Sequence, residues 1–288
     1  MLKTVFLTDN QESGQGVAML LGGFDGLHVG HRSLLARAHA SGLPVGIMTI
    51  VGCKDKGIFT FAEREIIFKE NGVDFVFELP FEEIKTLSPL TFLQMLKENF
   101  TPSLFVCGGD FRFGAMAQGN PEIIKQWGHV PIEVLPLLEI EGEKVSSRSI
   151  KKHLTEGEVT QANVLLGERF FLLGEVIKDR GVGRTIGFPT ANILYPQDKF
   201  PLKQGVYESY VVVDGVPYKG ITNYGARPTF DNGRVITETY LDGFDGDLYG
   251  KTLKVEFVRY LRDITRFDSV ETLKRQLTKD IERVRNYD

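Results

Sequence analysis

At 288 residues, with 42% hydrophobic and 25% charged side chains, the chain is long enough for two folding units, each with its own core. A formal net charge of −4 supplies no basic field for nucleic acid or anionic lipid, so any phosphate it handles is expected on a small molecule. No segment stays apolar for the ~20 residues of a membrane span, and Met1 to Gly16 lacks the layout of a secretory signal.

From Val17 the first half alternates apolar runs with amphipathic stretches, the pattern of parallel strands joined by crossover helices. Strands are expected at Val17–Leu21, Val45–Val51, Phe75–Leu79, Leu104–Cys107 and Ile132–Leu135. Helices are expected at His31–Ala40, Phe61–Asn71 and Pro89–Asn99. The prediction is a doubly wound α/β domain whose ligands sit beyond the C-terminal strand ends. Two short helices, Ser149–Glu156 and Glu158–Leu166, are read as its last elements, giving domains 1–166 and 167–288.

After Gly167 the runs turn β-like and are broken by Gly, Pro, Asn and Asp: Phe171–Ile177, Gly205–Val213, Val216–Thr222, Ile236–Leu241 and Lys254–Tyr260. Strands this closely spaced, without intervening helices, argue for a small antiparallel barrel or sandwich. Ser269 can cap a closing helix that extends to Asn286, with an apolar stripe of Val270, Leu273, Leu277, Ile281 and Val284. The two cysteines, Cys53 and Cys107, sit in neither a CxxC nor a metal-ligand spacing and are expected as buried thiols of a cytoplasmic protein.

The string Gly22-Gly23-Phe24-Asp25-Gly26-Leu27-His28-Val29-Gly30-His31 leaves the first strand and opens the first helix. Its glycines permit a tight turn and close approach of phosphate, and the new helix offers unpaired N–H groups and the positive end of its dipole. Two imidazoles three residues apart on one helical face suit nucleotidyl transfer, in which negative charge builds on the α-phosphate oxygens.

These residues resemble the HxGH motif of the nucleotidyltransferase superfamily. The fuller string is similar to the N-terminal module of bacterial bifunctional riboflavin kinase/FAD synthetases, and two further segments fit in order: Gly108-Gly109-Asp110-Phe111-Arg112-Phe113-Gly114 and Val145-Ser146-Ser147. The resemblance implies that His28 and His31 contact the ATP phosphates. It places Gly23, Phe24, Asp25, Gly30, Asp110 and Phe111 at the nucleotide, and Ser146 and Ser147 at the outgoing pyrophosphate. Two departures are visible: Arg148 and Lys151 stand where the family has threonine and arginine, and Thr49 to Gly57 lacks an aromatic-Pro-His-Pro stretch. Lysine keeps the charge but not the bidentate fork.

In the second half, Gly181 to Asn192 is dense in residues that core packing does not select. Its glycines let backbone N–H groups wrap phosphates, Arg184 adds charge, and Thr190 and Asn192 offer the hard oxygen ligands that Mg²⁺ prefers. The bland reading is a Gly-Phe-Pro-Thr turn leading into a strand. The segments Asn223 to Phe230 and Ile236 to Tyr240 follow, and all three strings resemble the riboflavin kinase family, a six-stranded Greek-key barrel with a C-terminal helix. The resemblance implies that Gly183, Arg184, Gly187, Phe188 and Pro189 cover the ATP phosphates, that Thr190 and Asn192 hold magnesium, and that Glu238 accepts the ribityl 5′-hydroxyl proton. It implies flavin contacts from Asn223, Thr229, Arg262 and Phe267. Tyr240 stands where the family often has histidine, and the acidic residues of Asp242 to Gly250 are read as a turn, not a metal site.

The leading expectation is an enzyme that phosphorylates riboflavin to FMN and adenylylates FMN to FAD, with ATP and Mg²⁺. It would bind flavins and ATP but neither nucleic acid nor membrane, as a monomer or weak homo-oligomer. A monofunctional riboflavin kinase with a degenerate first domain is the main competitor. A flavin-binding regulator without turnover is disfavoured by Thr190, Asn192 and Glu238, and a tRNA synthetase-like protein by the small first domain and acidic charge.

Overall fold

A computed structural model describes residues 2–7, 16–52, 55–178, 183, 186–226 and 235–286. The chain forms two compact units that divide between Ser147 and Arg148.

In the first unit the elements run β1 (Lys3–Phe6), β2 (Val17–Leu21), α1 (Val29–His39), β3 (Val45–Val51), α2 (Phe61–Glu70), β4 (Phe75–Pro80), α3 (Phe81–Ile84), α4 (Pro89–Phe100), β5 (Pro102–Gly108), α5 (Pro121–Trp127) and β6 (Ile132–Leu135). The hairpin β7 (Glu139–Ile140) and β8 (Glu143–Lys144) follows. Six parallel strands lie in the order β1-β4-β3-β2-β5-β6. All of β2 is buried, as expected of a central parallel strand covered on both faces. The core gathers Met19, Leu21, Phe77, Phe92, Leu96, Phe100, Phe105 and Cys107. Burial pushes the Cys107 thiol up to about 12, which makes it inert packing; Cys53 lies outside the described residues.

From β2 the chain builds outward through β3 and β4 on one side and through β5 and β6 on the other. The loops after β2 and β5 therefore part at their C-terminal ends and leave a crevice, the ligand position of doubly wound sheets. The edge strand β1 was not expected from the sequence, because only Val5 in it is buried and no alternation results.

The second unit begins with α6 (Ser147–Glu156), whose first residue belongs to unit one, and α7 (Val159–Leu166). Both helices thus fall outside the unit to which the 1–166 division assigned them. The reason is tertiary: the Asn163 amide donates to Phe257 O at 2.9 Å and accepts from Phe170 N at 2.7 Å, which ties α7 to the following sheet.

Strands β9 (Phe171–Glu175), β10 (Thr190–Leu194), β11 (Gly205–Val213), β12 (Val216–Ala226), β13 (Val235–Leu241) and β14 (Thr252–Arg262) pair antiparallel in the order β10-β13-β12-β11-β14-β9. An antiparallel bridge from Ile177 to Asn192 brings the two sheet ends together, so the barrel is nearly closed with Greek-key order. Helix α8 (Val270–Arg285) starts at a Ser269–Thr272 capping box and packs Ile281 and Val284 against Val206, Ile221 and Leu261. Strand β10 is absent from the strands expected by apolar pattern; it follows the Gly-Phe-Pro turn directly and carries polar Thr190 and Asn192 on one face.

Candidate active sites

The crevice of the first unit is a cavity of about 630 Å³ whose walls include Gly23, His28, Gly30, His31, Asp110, Phe111, Ser146 and Ser147. These are eight of the ten positions expected there. His28 is the N-cap of α1, and its Nδ1 accepts from His31 N at 3.1 Å. That bond leaves Nε2 as the protonated nitrogen of the neutral ring. The His31 ring stacks on it at 3.5 Å and donates from Nδ1 to Gly26 O at 2.9 Å. A Cβ on Gly30 would stand 3.2 Å from the His28 ring, so glycine there makes room for the stack.

Burial, and next the neighbouring His31, hold His28 down at about 3. Burial also holds His31 down at about 4, partly offset by the Gly26 carbonyl and by Asp25. Both rings are therefore neutral at pH 7.

The remaining two positions stand behind the wall. Phe24 is buried at a φ of 27°, with its ring 4.4 Å from that of His31. A positive φ on a bulky residue costs energy that the surrounding fold must supply. The Asp25 carboxylate accepts from Ser147 Oγ. Two arginines that the sequence did not single out hold this loop's carbonyls: Arg32 donates to Leu27 O at 3.1 Å and Arg64 to Phe24 O at 3.4 Å. Lys144, on the two-residue strand β8, pairs with Asp110 at 2.6 Å. No periodicity could announce so short a strand. Beyond the histidines the cavity turns apolar, with Met48, Ile50, Phe81 and Phe113. Lys151, which replaces the family arginine, holds its ammonium 5.5 Å over the Phe200 ring in the second unit.

In the second unit a cavity of about 250 Å³ brings together Gly183, Phe188, Thr190, Asn223, Glu238, Arg262 and Phe267. A second, of about 430 Å³, is lined by Pro189, Thr190, Asn192, Phe244, Leu248 and Tyr249. Thr190 is common to both. The sheet register explains this placement. Asn192 lies opposite Glu238 and Glu238 opposite Asn223, two rungs from Thr190 opposite Tyr240. Side chains on alternate rungs share a face, so ligand-bearing residues from β10, β12 and β13 form one row.

The intervening residues, Thr222, Thr237 and Thr239, are fully buried. The Thr222 hydroxyl bonds those of Ser209 at 2.8 Å and Thr239 at 2.9 Å. On the site face, in contrast, Asn192 Oδ1 and Asn223 Oδ1 are buried without a hydrogen-bond partner among the described residues. Such an orphaned acceptor is unfavourable unless a ligand takes it.

Before β10, Phe188 N donates to Gly183 O at 2.8 Å, and a Cβ on Gly183 would fall 2.3 Å from Phe188 O. Gly187 follows at a φ of 85°. The turn therefore requires glycine at both positions. Arg184 and Thr229 lie outside the described residues. Arg262 is paired to Asp280 of α8 at 2.7 Å, with its guanidinium 5.9 Å from the Phe267 ring. In the acidic segment, Asp242 binds Arg285 at 2.7 Å and Asp247 accepts from Tyr249 N at 3.0 Å, which makes both part of local turn and helix anchoring.

A family model described as FAD synthetase matches residues 10–149, and one described as riboflavin kinase matches residues 166–288. The bifunctional riboflavin kinase/FMN adenylyltransferase of Haemophilus influenzae is 30% identical over 93% of each chain. That of Bacillus subtilis is 30% identical over 97% of this chain and 96% of its own. That of Escherichia coli is 31% identical over 94% and 92%. A solved Streptococcus pneumoniae structure, described as a macrolide-efflux protein, superposes with a TM-score of 0.89 at 30% identity over 99% of both chains. With both halves matched in order and relatives aligned end to end, the chain belongs to the bifunctional riboflavin kinase/FMN adenylyltransferase family.

Proposed function

We propose that the second unit phosphorylates riboflavin to FMN and that the first adenylylates FMN to FAD, each with ATP. The observation that carries the first step is the row Thr190, Asn192, Glu238 and Asn223 between two cavities that share Thr190. ATP takes the cavity bounded by Phe244, Leu248 and Tyr249, with backbone N–H groups of Gly183 and Gly187 and the charge of Arg184 serving its phosphates. Riboflavin takes the one bounded by Asn223, Arg262 and Phe267, with Thr229 as a further flavin contact. Glu238 accepts the ribityl 5′-hydroxyl proton as that oxygen bonds the γ-phosphorus and the bond to ADP breaks, because an alcohol is a weak nucleophile until a positioned base takes its proton.

The donor set fits Mg²⁺: the Asn192 Oδ1 atom is a buried carbonyl oxygen without a partner among the described residues, and Thr190 adds a hydroxyl, both hard ligands. The ion, held by Thr190 and Asn192, would neutralise charge on the ATP phosphates.

In the first unit, a phosphate oxygen of FMN attacks the α-phosphorus of a second ATP and pyrophosphate leaves toward Ser146 and Ser147. His28 Nε2–H donates to the α-phosphate oxygens. Phosphate charge beside His31 favours its imidazolium, against the burial that keeps it neutral when no anion is present. Gly23, Gly30, Asp110 and Phe111 surround the nucleotide. Phe24 and Asp25 support His31 and Ser147 from behind, and the apolar half of the cavity receives the flavin ring. Domain boundaries follow these roles, with residues 1–166 serving transfer and 167–288 the kinase, and α6 and α7 packing structurally with the latter.

The proposal places the protein in the cytoplasm, acting on flavins and ATP and not on nucleic acid or membrane, as a monomer or weak homo-oligomer. Its acidic balance supports a small-molecule role. The residues gathered in both units fit phosphotransfer and not the efflux named for the S. pneumoniae protein. Incubation with riboflavin, ATP and MgCl₂, followed by fluorescence-detected chromatography, should give FMN and then FAD. FMN without FAD would reduce the chain to a monofunctional kinase, and no product would sink the enzyme reading.

A further inference from the structure

Helix α8 carries Leu273, Leu277, Ile281 and Val284 as one apolar stripe, and helical spacing sets Asp280 on the same face. Asp280 is only 4% exposed. A buried carboxylate is unfavourable unless its charge is paired and its oxygens are hydrogen-bonded. Arg262 meets that need, with Nε 3.0 Å and Nη2 2.7 Å from Oδ2. Gln276 Nε2 donates to Oδ1 at 2.8 Å.

Arg262 donates from Nη1 to Asp263 O at 3.1 Å and lies near the Phe267 ring. Arg262 and Phe267 both line the cavity of about 250 Å³, together with Leu273 and Leu277 of α8 itself. The helix does not depend on Asp280 alone for docking. Its C-terminal end is held by Arg285 on Asp242 at 2.7 Å, Arg283 on Leu261 O at 3.0 Å and Lys219 on Val284 O at 3.2 Å. Asp280 stands where that anchored end gives way to the cavity wall.

We propose that Asp280 is a positioning residue: it fixes the Arg262 guanidinium beside Phe267, so that the remaining Nη hydrogens meet the carbonyl edge of a planar flavin ring. A free arginine loses rotamer entropy when it binds a ligand, and a fork already held by a carboxylate loses less. The pair thus selects riboflavin among alcohols that carry a reactive primary hydroxyl. The inference rests on the flavin-side reading of this cavity.

The test uses the full chain, with riboflavin affinity read from flavin fluorescence, kinase KM for riboflavin and for ATP, thermal unfolding, and conversion of supplied FMN to FAD as an internal control in the other unit. Asp280→Asn should weaken riboflavin binding and raise its KM roughly tenfold, the size expected on losing an orienting outer partner, with KM for ATP and FAD formation unchanged. The exchanged pair Arg262→Asp/Asp280→Arg keeps the charges together but turns a carboxylate to the cavity. It should unfold near the wild-type temperature yet bind riboflavin no better than Asp280→Asn. An exchanged pair that binds riboflavin as the wild type does would overturn the proposal, leaving a structural ion pair. Should that variant not fold, Arg262→Lys decides: unchanged riboflavin affinity overturns the proposal, and a tenfold loss supports it. A wild-type chain that binds riboflavin without phosphorylating it would sink the kinase reading alone, whereas failure to bind riboflavin would remove the premise of both.

Discussion

The cavity of the first unit is lined by two imidazoles, His28 and His31, and those of the second by oxygen acceptors, Glu238, Asn192 and Asn223. The nucleophiles account for the difference. The phosphate of FMN is already ionised, so the first cavity needs no base and has to stabilise charge that collects on the α-phosphate. The 5′-hydroxyl of riboflavin is neutral, so the second cavity has to remove a proton and needs a carboxylate. Two phosphate chemistries in one chain thus call for opposite equipment, and each can be disabled alone.

The largest expected effect breaks the comparison on the kinase side. Glu238→Gln should lower riboflavin phosphorylation by about 10²–10⁴-fold, the usual worth of a general base, while supplied FMN still becomes FAD. On the other side, His28→Ala should cost FAD formation about 10²–10³-fold, as loss of one charge-stabilising donor does elsewhere, with FMN production intact. Equal loss of both activities in either variant would mean that the two sites are not separable.

Asn192→Leu sharpens the contrast between function and stability. It removes an acceptor that is buried and unpartnered among the described residues, so the folded state should be unchanged or more stable by about 1 kcal/mol in denaturant titration. Kinase activity should nevertheless fall, with a higher requirement for Mg²⁺. Destabilisation by several kcal/mol would show that the amide serves the fold instead.

Smaller effects probe the histidine stack. Gly30→Ala sets a Cβ 3.2 Å from the His28 ring. Since an ångström of misplacement can cost ~100-fold, a shift of tenths should slow FAD formation several-fold and leave FMN formation alone. The pH dependence of stability follows from the same pair. Native His28 and His31 are held at about 3 and about 4, below the ordinary 6.5. Between those values the unfolded chain takes up protons that the native chain does not. Their contribution is therefore fully present above pH 6.5 and is lost as the pH falls toward 4. The unfolding temperature should drop across that window, and His28→Gln/His31→Gln should flatten the drop.

Much of this was legible in the sequence where one physical signal dominated. Strands β2 and β3 match their apolar runs to the residue, because buried parallel strands leave a continuous apolar trace. Strand β1 left no such trace, and β10 was disguised by the polar residues it turns to the site. The packing of α7 could not be read locally, since side-chain bonds to Phe257 O and Phe170 N decide it. Among the candidate site residues, His28, His31, Thr190 and Asn192 stand in glycine-rich strings, whereas Glu238 stands in Ile236 to Tyr240 and was marked by family resemblance alone. Asp280 and Lys144 stand in no motif: a carboxylate on a helix reads as solvated surface until its buried partner is seen.

The most direct test of the two-site account is complementation in trans. Glu238→Gln and His28→Ala/His31→Ala chains are each given riboflavin, ATP and MgCl₂, alone and mixed, and the flavins are separated by chromatography. The account predicts no FMN or FAD from the first alone, FMN without FAD from the second alone, and FAD from the mixture. FAD formed at the wild-type rate by the histidine variant, or FMN formed at the wild-type rate by the glutamine variant, would contradict it.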